Sequence, residues 1–279
     1  MLSVVMTLSC IRDSLDGCPQ YLRFSYAYNM SGEDLFTREV TSVKVFVLND
    51  DGTCMMTAEE TDPVRLSDSL YRMELPYSVM CKRLVVWAGL DGGPYTVSSD
   101  CGAGLDPGSD RTVTPLWHSG PEKLLFDEAG RTQTVSLVRT TNTVKVALDG
   151  CDPKKVSMSI SSDNCSYGPD HTPKKDGGKV WAPVATTEEG DTSIFKIMRL
   201  VEDSAATLRV SYDSRPITFG GQAGLDLVKY FLSSKPTGMT DQEYLDREHV
   251  WTVEVRLAGT AALSLTINGW TIWFQDQQL

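Results

Sequence analysis

Val135-Ser136-Leu137-Val138-Arg139-Thr140-Thr141-Asn142-Thr143-Val144-Lys145-Val146-Ala147-Leu148, at the middle of the chain, holds two strand signals separated by a polar break. Val135 and Leu137 alternate with polar neighbours, the pattern stops at Val138, and Val144, Val146 and Leu148 restart it. A period of two sends successive side chains to opposite faces of an extended backbone, so each run reads as a half-buried strand. The break Thr140-Thr141-Asn142-Thr143 is where a boundary between two structural units belongs, and it is short enough that one strand feeds almost directly into the next. The alternation continues outward in Leu22/Phe24/Tyr26/Tyr28, Val43/Val45/Val47, Val156/Met158/Ile160, Leu208/Val210/Tyr212, Trp251/Val253/Val255/Leu257 and Leu263/Leu265/Ile267, with the unbroken apolar run Leu84-Val85-Val86-Trp87 among them. Turn signals such as Asn49-Asp50-Asp51-Gly52, Asp91-Gly92-Gly93-Pro94 and Asp176-Gly177-Gly178 separate the runs. Helical spacing is confined to Gly32–Val40 and to the stripe Leu225, Val228, Phe231 and Leu232, which ends before Pro236. The reading is all-β: two tandem β-sandwich domains with short helical segments, over residues 20–140 and 141–279.

The length agrees, since 279 residues at roughly 150 per domain give about two domains. A formal charge of −11 opposes a phosphate-binding surface, whose affinity comes from Lys and Arg, so no nucleic-acid partner is expected. No apolar run approaches the roughly 20 residues of a spanning helix. The seven cysteines form no CxxC pair and the histidines are only His118, His171 and His249, which gives zinc or redox motifs no support. No GxSxG, HExxH or phosphate-cradling loop is present. The acidic Asn49–Gly52 segment lacks the alternating ligands and distal Glu of a calcium loop, and reads as a hairpin turn. His171 sits in a turn-rich stretch and His249 precedes a strand, so both read as surface or hydrogen-bonding residues. No catalytic residue, cofactor, metal or small-molecule substrate is therefore expected, and the chain does not read as an enzyme. Trp181, Trp270 and Trp273 could stack on sugar, although Trp on an alternating strand is more often core.

The N-terminus carries a second signal. Met1-Leu2-Ser3-Val4-Val5-Met6-Thr7-Leu8-Ser9-Cys10 is a short apolar stretch stopping at small residues and a cysteine, as the back part of a bacterial lipoprotein signal does. Cleavage there would free Cys10 to carry lipid, and at ~0.8 kcal/mol per buried CH₂ two or more acyl chains anchor stably. The same residues can also be read as an ordinary apolar strand. On the lipoprotein reading, residues 1–9 are partial signal and 10–19, polar and turn-rich, a lipidated tether. Six cysteines then remain, an even set suited to disulfides in an oxidising compartment. Cys151–Cys165 is the pairing favoured, because it bridges no domain boundary; buried free thiols are the alternative.

Cys10…Asp16-Gly17-Cys18-Pro19…Leu22-Arg23-Phe24…Tyr28-Asn29-Met30, followed by Phe36…Glu39-Val40…Val43…Val45-Phe46-Val47…Asp50…Gly52, resembles the start of the fimbrillin-associated anchor lipoproteins, the FimB-type minor fimbrium anchoring subunits of Gram-negative gut and oral anaerobes. Tyr244-Leu245-Asp246-Arg247-Glu248-His249…Trp251-Thr252-Val253 and Ile267-Asn268-Gly269-Trp270 resemble that family's C-terminal pattern. The resemblance implies transthyretin-like sandwiches, a lipid on Cys10, and a place at the base of a cell-surface fimbria. There the chain would fasten the fibre of fimbrillin stalk subunits to the outer membrane and limit its length. Two other functions share the fold: a surface glycan-binding lipoprotein, and a tip adhesin of the same fibre system.

Overall fold

A computed structural model describes residues 19–79, 82–106, 112–124, 131–174, 178–186 and 191–274. With strands numbered in chain order, the first half holds a five-stranded sheet in the order β10 (Val138–Arg139), β8 (Trp117–Lys123), β5 (Arg83–Ala88), β2 (Val43–Leu48), β3 (Cys54–Glu60). Against it lies a three-stranded sheet, β4 (Met73–Pro76), β1 (Pro19–Ser25), β9 (Thr132–Ser136). The second half holds a six-stranded sheet in the order β16 (Ala185–Thr186), β17 (Thr192–Met198), β11 (Thr141–Asp149), β21 (Val250–Ala258), β22 (Ala261–Ile267), β23 (Trp270–Trp273). Its companion is β15 (Lys179–Trp181), β12 (Val156–Ser162), β18 (Ala206–Tyr212), β19 (Arg215–Pro216), with β20 (Leu225–Asp226) also on β18. A further sheet crosses between the halves: β14 (Pro173–Lys174), β13 (Ser166–Tyr167), β7 (Ala103–Leu105), β6 (Tyr95–Val97). The fold is thus all-β, built of packed sheets.

The alternating residues do what their spacing requires. Leu22 and Phe24 of β1 and Val135 of β9 pack with Val43, Val45 and Val47 of β2 in a core confined to the first half. The unbroken run in β5 has a different fate, because both faces of that strand are covered. Leu84 and Val86 join the first-half core, whereas Val85 and Trp87 point the other way, into a second core that also takes Val144, Ile160, Leu208 and Trp251 of the second half. That second core runs through both halves without a gap. Each half opens on a strand paired in parallel with a later one, β1 with β9 and β11 with β21, beside otherwise antiparallel neighbours. Tyr28 lies beyond the end of β1, half-buried, with the Arg247 guanidinium 5.3 Å from its ring centroid.

Only Thr140 separates β10 from β11. Its N–H donates to Leu116 O at 2.7 Å, and its carbonyl accepts from Arg199 N–H at 2.8 Å. The polar residues that follow are buried strand, not loop. Thr141 Oγ1 accepts from Leu116 N–H, Asn142 Oδ1 from Trp251 Nε1–H, and Thr143 Oγ1 from Lys196 Nζ. Pairing of this kind removes the penalty that buried polar groups otherwise carry.

The helices are short. Phe36–Glu39 forms α1, Pro63–Leu66 α2, Leu227–Leu232 α3 and Asp241–Arg247 α4. Helix α1 is half the length expected from Gly32–Val40, while α3 buries Leu227, Val228 and Phe231 and ends ahead of Pro236. Helix α4 starts at a side-chain cap, Thr240 Oγ1 accepting from Glu243 N–H at 3.2 Å. Among the described residues, no helix is long and apolar enough to cross a membrane.

Candidate functional site

All three histidines come to the seam between the halves. The His118 ring, from β8, stacks on His171 with centroids 4.5 Å apart and lies 4.4 Å from Trp87; its Nε2 is 3.0 Å from Pro169 O. His171 holds φ +65° in the Gly168–Thr172 turn and places Nε2 3.0 Å from Thr140 Oγ1. His249 Nδ1 lies 3.4 Å from the Tyr26 hydroxyl. Beside them Arg199 and Asp246 form a two-pronged ion pair at 2.6 and 2.7 Å, and Arg199 Nη1 also donates to His171 O. Burial lowers the His118 and His249 imidazoles to about 4. For His171, burial and then the nearby Arg199 charge drive the imidazole well below its ordinary value. Neutral rings bonded to a backbone carbonyl, a Thr hydroxyl and a Tyr hydroxyl fasten the halves together. His118 is buried, while His171 and His249 are half-buried hydrogen-bonding residues. Among the described residues, no cluster of His, Cys, Asp and Glu could hold a metal ion.

The exposed feature is the free edge of the six-stranded sheet. Asn268 and Gly269 take φ +45° and +86°, the left-handed pair that a two-residue hairpin needs, and Asn268 Oδ1 accepts from Thr252 N–H at 2.8 Å. This turn fixes the register Ile267↔Trp270 and Ser264↔Trp273. Strand β23 pairs with β22 on one side and with no described strand on the other. It reads Trp-Thr-Ile-Trp, without a charge, and Trp270 and Trp273 are 58% and 66% exposed. The outer strand β3 of the five-stranded sheet differs: Glu59 pairs with Lys44, and Glu60 with Arg65. Charged edge strands resist pairing with another chain, while apolar uncharged ones invite it. Trp181 is core, as Trp on an alternating strand usually is, whereas Trp270 and Trp273 are not. Three residues apart on one strand, these two leave from opposite faces and do not form one flat platform.

Cys10 lies outside the described residues, as do Cys18 and Cys81. Of the expected Cys151–Cys165 pair, Cys151 lies in the turn after β11 and Cys165 leads into β13, where its carbonyl accepts from Leu105 N–H of β7. Cys165 thus adjoins the sheet that crosses the seam. The Asn49–Gly52 segment is the β2–β3 hairpin turn, closed by Asn49 N–H to Thr53 O at 2.8 Å with Gly52 at φ +85°.

A family model described as fimbrillin-A associated anchor proteins Mfa1 and Mfa2 matches residues 15–276. No curated protein matches the sequence. Among solved structures, the chain is similar to a candidate polysaccharide-binding protein from Bacteroides thetaiotaomicron, with TM-score 0.83 and 22% identity over 94% of this chain and 100% of that one. It is similar to a candidate adhesin from the same organism, with TM-score 0.78 and 23% identity over 94% and 100%. It is also similar to the fimbrial anchor protein Mfa2 from Porphyromonas gingivalis, with TM-score 0.71 and 19% identity over 92% and 100%. At these identities the structural likeness establishes the fold.

Proposed function

Since the chain belongs to the family of fimbrillin-A associated anchor proteins, we propose that it fastens a cell-surface fimbria to the outer membrane through lipid on Cys10, limits fibre length, and meets its neighbouring subunit by β-strand addition. Family membership gives the fimbria-associated role, and that family is one of structural proteins, not of enzymes. The observation that carries the finer reading is the uncharged outer edge of β23, along which no described strand lies. A strand laid along it would gain backbone hydrogen bonds, and alternate side chains would find separate pockets. The first described strand, β1, is central in its sheet and bonded on both sides, so a pull arriving from a lipidated N-terminus would have to shear two ladders.

Two experiments test this. Deleting the gene releases fimbriae into the medium; fibres that stay cell-bound at normal length refute the anchor. Replacing Cys10 with Ala moves the protein out of the outer-membrane fraction; unchanged fractionation refutes lipid attachment there and leaves a tip position open. The glycan-binding alternative draws on a hollow of about 480 Å³ lined by Glu254, Arg256, Ser264 and Thr266 on the outer sheet face, next to Trp273. Among the described residues it lacks the second coplanar aromatic that a sugar platform uses, so the anchor reading is preferred.

A further inference from the structure

Two thiols far apart in sequence meet beside the outer strand of the five-stranded sheet. Cys54 opens β3 directly opposite Leu48 of β2. Cross-strand partners share a sheet face, and Leu48 packs in the same core as Cys101. The Cys54 side chain therefore leaves the sheet on the side where the Ser98–Gly102 turn lies. Cys101 is firmly placed in that turn. It takes φ +64°, its N–H donates to Ser98 O at 2.9 Å, and its carbonyl accepts from Trp87 Nε1–H at 2.9 Å. The Cys54 thiol is close enough to act on Cys101, and its own proton is directed to Met56 O at 3.5 Å. Cys101 is buried and Cys54 exposed, and both are free thiols. Burial, and after it the neighbouring Cys54, push the Cys101 thiol up to about 11, so by itself it is a poor nucleophile.

We propose that Cys54 and Cys101 are a disulfide-forming pair, closed by exchange with a disulfide-bearing acceptor such as an oxidised thiol–disulfide oxidoreductase. Cys54, the reachable thiol, gives up its proton and attacks one sulfur of the acceptor; the other sulfur leaves as a thiolate and takes that proton, and the attacked, second sulfur stays bound to Cys54 as a mixed disulfide. Cys101 then loses its proton and attacks the Cys54 sulfur, forming the Cys54–Cys101 bond and expelling the second acceptor sulfur as a thiolate, which is protonated in turn. Two protein thiols lose two hydrogens and two electrons, and the acceptor disulfide gains both. The bond would pin the start of an edge strand to the β6–β7 turn. That turn is itself held to the second half by the Lys174 to Asp100 ion pair at 2.8 Å. Only the cellular oxidant rests on the cell-surface reading; the chemistry of the pair does not.

The test uses the purified full chain. It is incubated with oxidised glutathione, the remaining thiols are alkylated, and the digest is mapped by mass spectrometry without reduction. The expected result is a Cys54-to-Cys101 linked peptide, lighter by two hydrogens than the sum of its parts, with Tm raised by about 5–10 °C and the rise abolished by reductant. The exposed replacement Cys54→Ser removes both the link and the rise while leaving the reduced protein's Tm in place. A stable glutathione adduct on Cys54 with Cys101 still alkylated, or a Cys54 link to any other cysteine, overturns the assignment. None of these outcomes depends on fimbrial attachment, so failure here and failure of the anchor reading are separable.

Discussion

Asp246→Ala should be among the most damaging single substitutions in the chain. Asp246 accepts from Arg199 Nε at 2.6 Å and Nη2 at 2.7 Å, and from Gln242 Nε2 at 2.8 Å. The Arg199 and Asp246 side chains are only 10% and 9% exposed. Truncating the acid strands a guanidinium largely withdrawn from water, with the His171 carbonyl at 3.3 Å as a remaining acceptor. Breaking one side of a buried pair costs about 3–5 kcal/mol. In a chain of this size that corresponds to a fall in Tm of roughly 6–10 °C. Glu33→Ala is the control, because the Arg38–Glu33 pair is 62% and 68% exposed and such pairs contribute at most about 0.5–1 kcal/mol. The double replacement Arg199→Met with Asp246→Leu removes both charges together and should recover most of the loss. Urea unfolding followed by the emission of the buried Trp87, Trp117 and Trp251 reads all three variants, with the m-value checking that a single transition is retained. If Asp246→Ala is as mild as Glu33→Ala, or the double replacement is worse than the single one, the seam does not depend on this ion pair.

Acid should loosen the seam in a defined window. His118 titrates at about 4 in the fold against an ordinary 6.5, because burial disfavours its charged form, so between these values the unfolded chain binds the extra proton. Stability is then full above pH 6.5 and falls as pH drops towards 4, by about 3 kcal/mol for this residue, and His118→Gln should flatten that part of the curve. Asp100, held near 2 chiefly by its bond from Lys174, loses its contribution only below about 3.8, in a separate window. Thr240→Ala deletes the α4 cap and should cost about 1 kcal/mol by the same denaturation assay; an unchanged midpoint would refute the cap's role. Trp270→Lys with Trp273→Lys places charge on the exposed β23 edge and should leave stability within about 0.5 kcal/mol while abolishing co-purification with fimbriae. Fibre association that survives the double change would move the subunit contact to another edge.

The strand content was legible because period-two alternation depends on local sequence alone: Leu22/Phe24, Val43/Val45/Val47 and Trp251/Val253/Val255 lie buried as their spacing required. What escaped depended on partners distant in sequence. Thr141, Asn142 and Thr143 have the composition of a linker, and nothing local announces that Leu116, Trp251 and Lys196 will satisfy them inside the protein. The β7–β13 pairing was equally silent, although Gly104 bears its mark: a Cβ there would come within 2.2 Å of the Ser166 Cβ, so this position accepts only glycine. Helix α4 could have been read, since Thr240-Asp241-Gln242-Glu243 has the Ser/Thr-x-x-Glu spacing of a capped start. Cysteine proximity could not, because Cys54 and Cys101 are brought together by a sheet register and a turn, neither of which a count of cysteines contains.

The seam bears directly on the anchor reading. Two domains joined by an ordinary polar interface move relative to each other by default, and a hinge would let a fibre swing on its base. Here such a hinge has no place to form. One core passes through both halves, the β14-β13-β7-β6 sheet takes strands from each, and the connecting residue Thr140 is bonded to both Leu116 and Arg199. A force entering at β1 would pass through the first-half core to β5, whose Val85 and Trp87 already belong to the core beneath β11 and β21. From β21 it would reach β22 and the open edge of β23 along continuous hydrogen-bond ladders. The histidines and the Arg199–Asp246 pair stand where that path changes from one half to the other. Polar bonds at that crossing resist sliding better than apolar contacts would, because they are directional and each is lost outright when its partners shift by an ångström or so. A seam built this way suits a protein that holds a fibre against drag more than one that must open around a ligand.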